Sequence, residues 1–482
     1  MPDFPAHAAA LFVQTHAAPG SLLSRFYEID WAPVPDLASE LIVPLFASVV
    51  SVITATKLFI CMALLLWVFG PAAVQYALSG RVAVTSLAAA LFAYNANFTM
   101  GFINFYFAAG GAFFVIAAWI ATEPWLPVAR FVMLAGCFAL LYFLHLLAMP
   151  FAGLVLCCFE LAKLRRRDPE KTRKAIRNLL IVCAAVVPVV VCAVLFPAGH
   201  ASDGETYFDL PSSIPTRLGS LNWIGFAPET IVLAALAAWA IAAKRAQIDP
   251  RMGLALIALL AISLILPKAF FGAWGLHIRY PAMGAALLFA ALSLRLSRRA
   301  AVLAIAATVT ASAADAATLV WFWRGPDAQI REMRGALNQL APGSKVFIAM
   351  DGVKGDADYR HVPEYAVIDR SAFVPLLFTM KNQHIVHTRP AWQSLAAANA
   401  VQAEVVTFDD LAPLARAGAK RPDLSKFFPY LMQWPCNFDD VLLLRLTGKP
   451  APTSGNLIRL SEGDTFTLYA INRPSSCSNA RV

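Results

Sequence analysis

Lys and Arg residues in this chain gather in short stretches between apolar runs. Lys163, Arg165, Arg166, Arg167, Lys171, Arg173, Lys174 and Arg177 fall in one stretch, Lys244, Arg245 and Arg251 in a second, and Arg295, Arg298 and Arg299 in a third. Short loops rich in Lys and Arg stay in the cytoplasm. Two apolar segments separate each cluster from the next, so counting outward predicts that residues 198–227 and everything after 323 lie outside the cytoplasm. Counting backward predicts the same side for residues 1–51.

A span needs roughly 20 apolar residues to cross about 30 Å of hydrocarbon. Ten segments read as spans: 52–72, 81–98, 101–121, 127–145, 147–162, 177–197, 228–243, 252–267, 279–296 and 300–323. The 127–162 stretch, which carries Arg130 and Glu160 near its two ends, is interrupted by His145 and Pro150; treating it as two spans keeps Arg81 on the cytoplasmic side. Leu37 to Val50 is also apolar, but Glu40 and Pro44 break it, so a short re-entrant or interfacial helix is expected there. Composition supports a membrane protein: 59% of residues are hydrophobic, 14% are charged, and the mean hydropathy is +0.62, far from an ordinary soluble chain. The formal charge of +9 sits mostly in the loops, where it sets orientation and meets anionic lipid. Nucleic acid is therefore not an expected partner. Ala-rich spans suggest a bacterial inner membrane, with multiple passes and an extracytoplasmic tail.

Met1 to Trp31 has no cationic n-region followed by an apolar h-region, so no signal peptide is read there. The span count still places this segment outside. Either a preceding span is missing or the protein inserts with its N terminus outside.

From Arg324 onward the apolar runs shorten and a soluble domain is expected over 324–482, after an N-terminal loop with short interfacial helices (1–51) and a transmembrane domain (52–323). Ala328 to Leu340 has helical spacing, Pro342-Gly343 turns the chain, and Lys345 to Met350, Val441 to Leu446 and Phe466 to Ile471 read as strands, predicting an α/β or α+β fold. Cys61, Cys137, Cys157, Cys158, Cys183 and Cys192 lie in or beside apolar spans as packing residues. Cys436 and Cys477 fall in the outer domain, where a disulfide can form.

The candidate chemistry lies on the outer face. Asp3, Phe4, Pro5, Ala6 and His7 open the chain, and Tyr27, Glu28, Asp30, Trp31 and Asp36 follow. Carboxylates at such a surface act as general bases, hold a divalent cation, or are simply solvated. Lys57 sits near the outer end of the first clear span, and Lys268, His277, Arg279 and Tyr280 flank the ninth. A cation at mid-membrane costs about 2.5 to 3.5 kcal/mol, so each of these either snorkels or meets an anion. His145 reads equally as a pocket residue and as a polar group at a tight turn.

The Asp3-Phe4-Pro5-Ala6-His7 segment, the ten expected spans, the Tyr142 to His145 turn, the Lys268 to Tyr280 loop with Arg279, and the C-terminal domain together resemble polytopic glycosyltransferases of the C-type (GT-C) superfamily. The resemblance implies transfer of a sugar from a polyprenyl-phosphate donor to a glycan, lipid or protein acceptor. By position Asp3 matches the family's first-loop Asp, a base or metal-associated carboxylate, and Glu28 or Asp30 would be its second acidic residue. Lys57, Lys268 and Arg279 would hold the lipid phosphate, with His7, His145, His277 and Tyr280 lining the substrate pocket. The family's first span, which should precede this loop, has no counterpart here. No Gly-rich phosphate fingerprint occurs, and a divalent cation is the one cofactor these carboxylates suggest. Two rival readings are a transporter or flippase for a lipid-linked or anionic solute, which predicts internal repeats and mid-membrane charges, and a non-catalytic scaffold whose outer carboxylates are dispensable.

Overall fold

The computed structural model describes residues 1–164, 168–195, 206–208, 216–222, 246–270, 273–351, 359–379, 384–396, 415, 429–453, 455–475 and 477. In chain order its helices are α1 (Phe4–His16), α2 (Ala38–Ala47), α3 (Val52–Ser79), α4 (Val84–Leu87), α5 (Ala96–Met100), α6 (Ile103–Ala121), α7 (Pro127–Leu144), α8 (Ala148–Lys163), α9 (Pro169–Leu195), α10 (Gly253–Ile265), α11 (Leu276–Ala291), α12 (Arg298–Leu337) and α13 (Tyr365–Arg370). Two compact units form: one from Met1–Ala32, Val43–Thr56 and Trp321–Val482, the other from Pro33–Ile42 and Lys57–Val320.

The second unit is helical. Among the described residues, α3, α6, α7, α9 and α12 are long and apolar enough to cross a membrane. The other expected spans take different forms. Segment 81–98 is no continuous helix: α4, a 3-10 turn at Ala88–Phe92 and α5 follow one another. Asn95 causes the last break, its side chain accepting from the N–H groups of Asn97 and Phe98, and so starting a new helix instead of extending the old one. The 127–162 stretch does divide, into α7 and α8, with the break at His145 to Leu147. At 16, 13 and 16 residues, α8, α10 and α11 fall short of the roughly 20 that a full crossing needs. Segment 228–243 lies outside the described residues, as do Arg165, Arg166, Arg167, Lys244 and Arg245.

Small and polar residues join these helices. A Cβ on Gly110 would stand 2.7 Å from the Leu66 Cβ, and one on Gly70 would stand 2.8 Å from the Phe113 Cβ. Glycine at both positions thus lets α3 and α6 cross backbone to backbone, as small residues do between membrane helices. Glu160 is fully buried but satisfied: it accepts from Trp119 Nε1 at 2.9 Å and Lys163 Nζ at 3.2 Å. Arg130 stacks 3.6 Å over the Trp119 ring and donates to Asn178 at 2.8 Å. A buried charge tolerates low dielectric only when paired in this way. Short ladders complete the unit: β2 (Ala246–Ile248) pairs with β5 (Leu292–Leu294), and β3 (Ala269–Phe270) with β4 (Ala273–Trp274).

The first unit is α+β. Strands β6 (Val346–Met350), β8 (Asp440–Leu444), β9 (Leu457–Glu462) and β10 (Phe466–Ile471) form a sheet in the order β6-β8-β10-β9, with only β6 and β8 parallel. Every residue of β6 and β8 is buried, the pattern of central strands covered on both faces. Phe347 packs on Trp434 and Phe438 at 5.3 and 5.2 Å between ring centroids. Cys436 and Cys477 are disulfide-bonded with 5.3 Å between Cα atoms; the other six cysteines are free.

Two expected boundaries shift. The division at 323/324 falls inside α12, which continues to Leu337 despite Pro326. The N-terminal segment, expected as a separate loop, belongs to the same unit as the tail. Its β1 (Tyr27–Ile29) pairs antiparallel with β7 (Val386–Thr388), and the Tyr27 hydroxyl accepts from the N–H of Val374 at 3.2 Å. The apolar face of α1, with Ala6, Ala8, Ala9 and Val13 fully buried, explains the association: a helix with such a face must cover it.

Candidate functional site

In the helical unit the polar groups gather around Asp36. This residue has a positive φ of 80°, a conformation Asp tolerates better than most residues but that still costs energy. Two partners hold the turn. Asn104, at the start of α6, donates from Nδ2 to the Asp36 carbonyl at 2.8 Å, and its Oδ1 accepts from the N–H of Ser39 at 2.8 Å. The N–H of Leu37 donates to the Phe143 carbonyl at 2.8 Å, tying the turn to the end of α7. Asn104 also donates to Glu40 Oε2 at 3.2 Å, and Ser39 Oγ donates to that same oxygen at 2.8 Å.

His145 follows α7 directly, and its Nε2 is 3.9 Å from Asp36 Oδ1. Arg279, on the first turn of α11, brings Nη1 to 3.2 Å from the same nitrogen and donates from Nη2 to the Trp274 carbonyl at 3.3 Å. Its guanidinium lies 4.2 Å from the Phe102 ring centroid and 5.0 Å from that of Phe105. Aromatic faces stabilise a cation taken out of water. Gly275 permits this arrangement. It caps α11 at φ +79°, and a Cβ there would meet the Phe102 ring at 3.1 Å. Burial pushes the Asp36 carboxyl up to about 8, the neighbouring Glu40 adds to the rise, and Arg279 pulls it back down.

Other expected site residues surround this group. The Tyr280 hydroxyl donates to the Leu147 carbonyl at 3.0 Å. His277 is buried, its ring edge-on to Trp274 at 6.3 Å. Lys268 is half-buried, and its carbonyl accepts from the N–H of Gly275 at 2.9 Å, which ties it to the start of α11. Lys57 is exposed on α3.

Asp3, Glu28, Asp30 and His7 belong to the α+β unit. Asp3 Oδ1 is 3.8 Å from His361 Nε2, and His361 Nδ1 bonds the buried Glu364 at 2.7 Å. Burial alone would strip the His361 proton, but Glu364 and Asp3 outweigh it and hold the pKa above the ordinary value. The Phe378 ring touches three imidazoles, His7 at 5.4 Å, His361 at 4.9 Å and His384 at 5.4 Å. Burial, aided by His384 and His361, lowers His7 to about 3, and burial with His387 lowers His384 to about 4. Glu28 pairs at the surface with Arg389 at 3.7 Å, and Asp30 is exposed. Among the described residues no group of three or more His, Cys, Asp or Glu side chains is placed to hold a metal ion.

Sequence reasoning placed Asp36 in the outer carboxylate cluster but gave the base to Asp3, and it assigned no site role to Glu40 or Asn104. The signal was present: Glu40 is an acid within an apolar run, and such residues in membrane proteins mark function more often than chance. Comparison with protein-family models, with curated proteins and with solved structures returns no match.

Proposed function

We propose that this protein is a membrane glycosyltransferase that moves a sugar from a polyprenyl-phosphate donor to a hydroxyl acceptor on the extracytoplasmic side. The observation that supports this most is the juxtaposition, in the unit carrying most of the apolar helices, of a buried Arg279 with a half-buried Asp36 across His145. Breaking the bond from the anomeric carbon to the phosphate oxygen leaves negative charge on that oxygen. Arg279, with Lys268 beside the start of the same helix, supplies the positive charge to receive it. The acceptor oxygen forms the new bond to carbon, and its proton passes to a carboxylate, a step worth about 10² to 10⁴ in rate. Asp36 takes this role in preference to Asp3 because it stands beside Arg279 and His145, whereas Asp3 stands beside His361, which is itself bonded to Glu364.

The test uses the full-length protein in liposomes with polyprenyl-phosphate sugars. Acceptor-dependent release of polyprenyl phosphate is expected, with Arg279→Ala weakening donor binding. No release with any donor would remove the reading and favour a transporter or scaffold. Cysteine labelling at Ser344 and at Thr172 is expected to come from opposite sides of the membrane; labelling from one side would overturn the assigned orientation.

A further inference from the structure

Helix α9 presents two unlike faces. Ala175, Asn178, Val182, Ala185 and Val189 are buried, on the side where α9 packs on α7 and α8. On the opposite side Arg173, Arg177, Leu180, Val187, Val191 and Val194 are exposed. Spacings of three, four and seven residues put these six in one row along a helix of about 3.6 residues per turn. Since α9 is long and apolar enough to cross a membrane, the four apolar members of the row face acyl chains, and the two arginines stand where the helix leaves the hydrocarbon.

The arginine pair is short of negative charge. At positions i and i+4 the two side chains are neighbours, with Cβ atoms about 5–6 Å apart, and like charges so placed destabilise a helix. Neither arginine joins an ion pair among the described residues, and the nearby carboxylates are committed elsewhere: Glu123 to Lys163 and Lys174, Glu160 to Lys163, and Asp168 to Lys171. Glu170 is exposed one turn before Arg173 and pairs with neither of them. An anion from outside the chain is therefore the group that relieves the repulsion, and a guanidinium receives a phosphate with two parallel N–H donors.

We infer that the Arg173–Arg177 end of α9 and the row that continues from it form a binding surface for one anionic phospholipid. Its phosphate bridges the two guanidiniums, and its acyl chains lie along Leu180 and Val187. Leu180 follows Arg177 by about 4.5 Å along the helix axis, so a phosphate held at the arginines delivers its chains directly onto the row. A headgroup carrying choline or ethanolamine would bring a cation beside two arginines, whereas one with net negative charge brings none. Basic loops meet anionic lipid in general; on α9 the unpaired charges and the apolar row coincide, which gives the contact a place. The surface requires only that α9 crosses a bilayer and is independent of sugar transfer.

The test is native mass spectrometry of the full chain released from vesicles of phosphatidylglycerol and phosphatidylcholine in equal amounts, with glycerol phosphate as a separate probe that has a headgroup and no chains. The wild type is expected to retain phosphatidylglycerol in preference, and Arg173→Gln and Arg177→Gln each to lower that preference about fivefold. The pair Arg298→Gln and Arg299→Gln, which removes two exposed cations from α12, is expected to leave it unchanged, and glycerol phosphate is expected not to be retained. Equal retention of the two lipids by the wild type, a preference that survives both α9 substitutions, or an equal loss in the α12 variant overturns the inference. Retention of glycerol phosphate replaces the lipid surface with a phosphate site. Where a glutamine variant does not fold, a photoreactive residue at the exposed Leu180 tests the native arginines in place: it is expected to crosslink phosphatidylglycerol in excess of phosphatidylcholine, and equal crosslinking overturns the inference.

Discussion

Each unit of this protein places an aspartate oxygen at nearly the same distance from a histidine Nε2, 3.8 Å for Asp3 and His361 and 3.9 Å for Asp36 and His145. The third member differs. His361 is hydrogen-bonded to the buried Glu364, while His145 faces the buried Arg279. An anion on the far side holds the proton on the imidazole against the pull of burial. A cation there favours the neutral ring. A carboxylate and histidine side by side therefore carry no fixed chemistry; the third charge decides whether the imidazole is held protonated or neutral.

The largest expected effect separates the two carboxylates. Asp36→Asn, which preserves shape but removes the proton acceptor, is expected to lower transfer by about 10² to 10⁴ in the liposome assay. If Asp3→Asn proves the more damaging of the two to transfer, the roles assigned to the clusters are reversed.

Next comes the tether in the α+β unit. The sequence separation between Cys436 and Cys477 is 41 residues, and in the chain-entropy model closing such a loop contributes on the order of 3 to 4 kcal/mol. Replacing both cysteines by serine is expected to lower the denaturation midpoint of that unit accordingly. An unchanged midpoint would mean that the core of β6, β8 and β10 holds without it.

Acid sharpens the contrast further. His7 takes a proton at 6.5 when unfolded but resists to about 3 when folded. The unfolded chain therefore binds more protons below 6.5, and stability falls as the pH drops from there toward 3, by about 1 kcal/mol per pH unit. His384, lowered to about 4, acts in the same direction. His361 has the opposite sign: its pKa is raised, so its contribution is present below the ordinary 6.5 and is lost as the pH rises through the folded value. The α+β unit should thus weaken in both directions, and His7→Gln should flatten the acid side in proteolysis of α1. An unaltered acid profile would show that His7 is not as sealed as its packing against Phe378 implies.

The smallest effect is expected at the surface. Glu28 and Arg389 pair across 3.7 Å with both side chains well exposed, and Arg389→Ala should cost less than about 1 kcal/mol by thermal denaturation. A larger loss would indicate that the β1–β7 pairing depends on this contact.

Much of the architecture was legible in the chain. Apolar runs long enough to cross a membrane marked α3, α6, α7 and α9, and alternating or continuous apolar stretches marked β6, β8 and β10, because burial of side chains imposes a local period on the sequence. His145 was visible as a break between two helices. The irregular 84–100 region was not; its last break, at the start of α5, depends on one Asn95 side chain competing with the backbone.

By itself, the sequence determined that the protein is mostly helical, with apolar runs read as ten spans, and that strands lie in the C-terminal part; among the described residues five helices are long and apolar enough for a membrane. These properties follow from composition and spacing along the chain. Only the tertiary structure decided that Asp3 stands beside a His361 bonded to Glu364, and that Asp36 stands beside a His145 that faces Arg279. Residues 36, 145 and 279 are brought together by the Asn104 clamp, the turn after α7 and the Gly275 cap. Electrostatic roles depend on distances of a few ångströms between residues more than a hundred positions apart, and no local pattern records them.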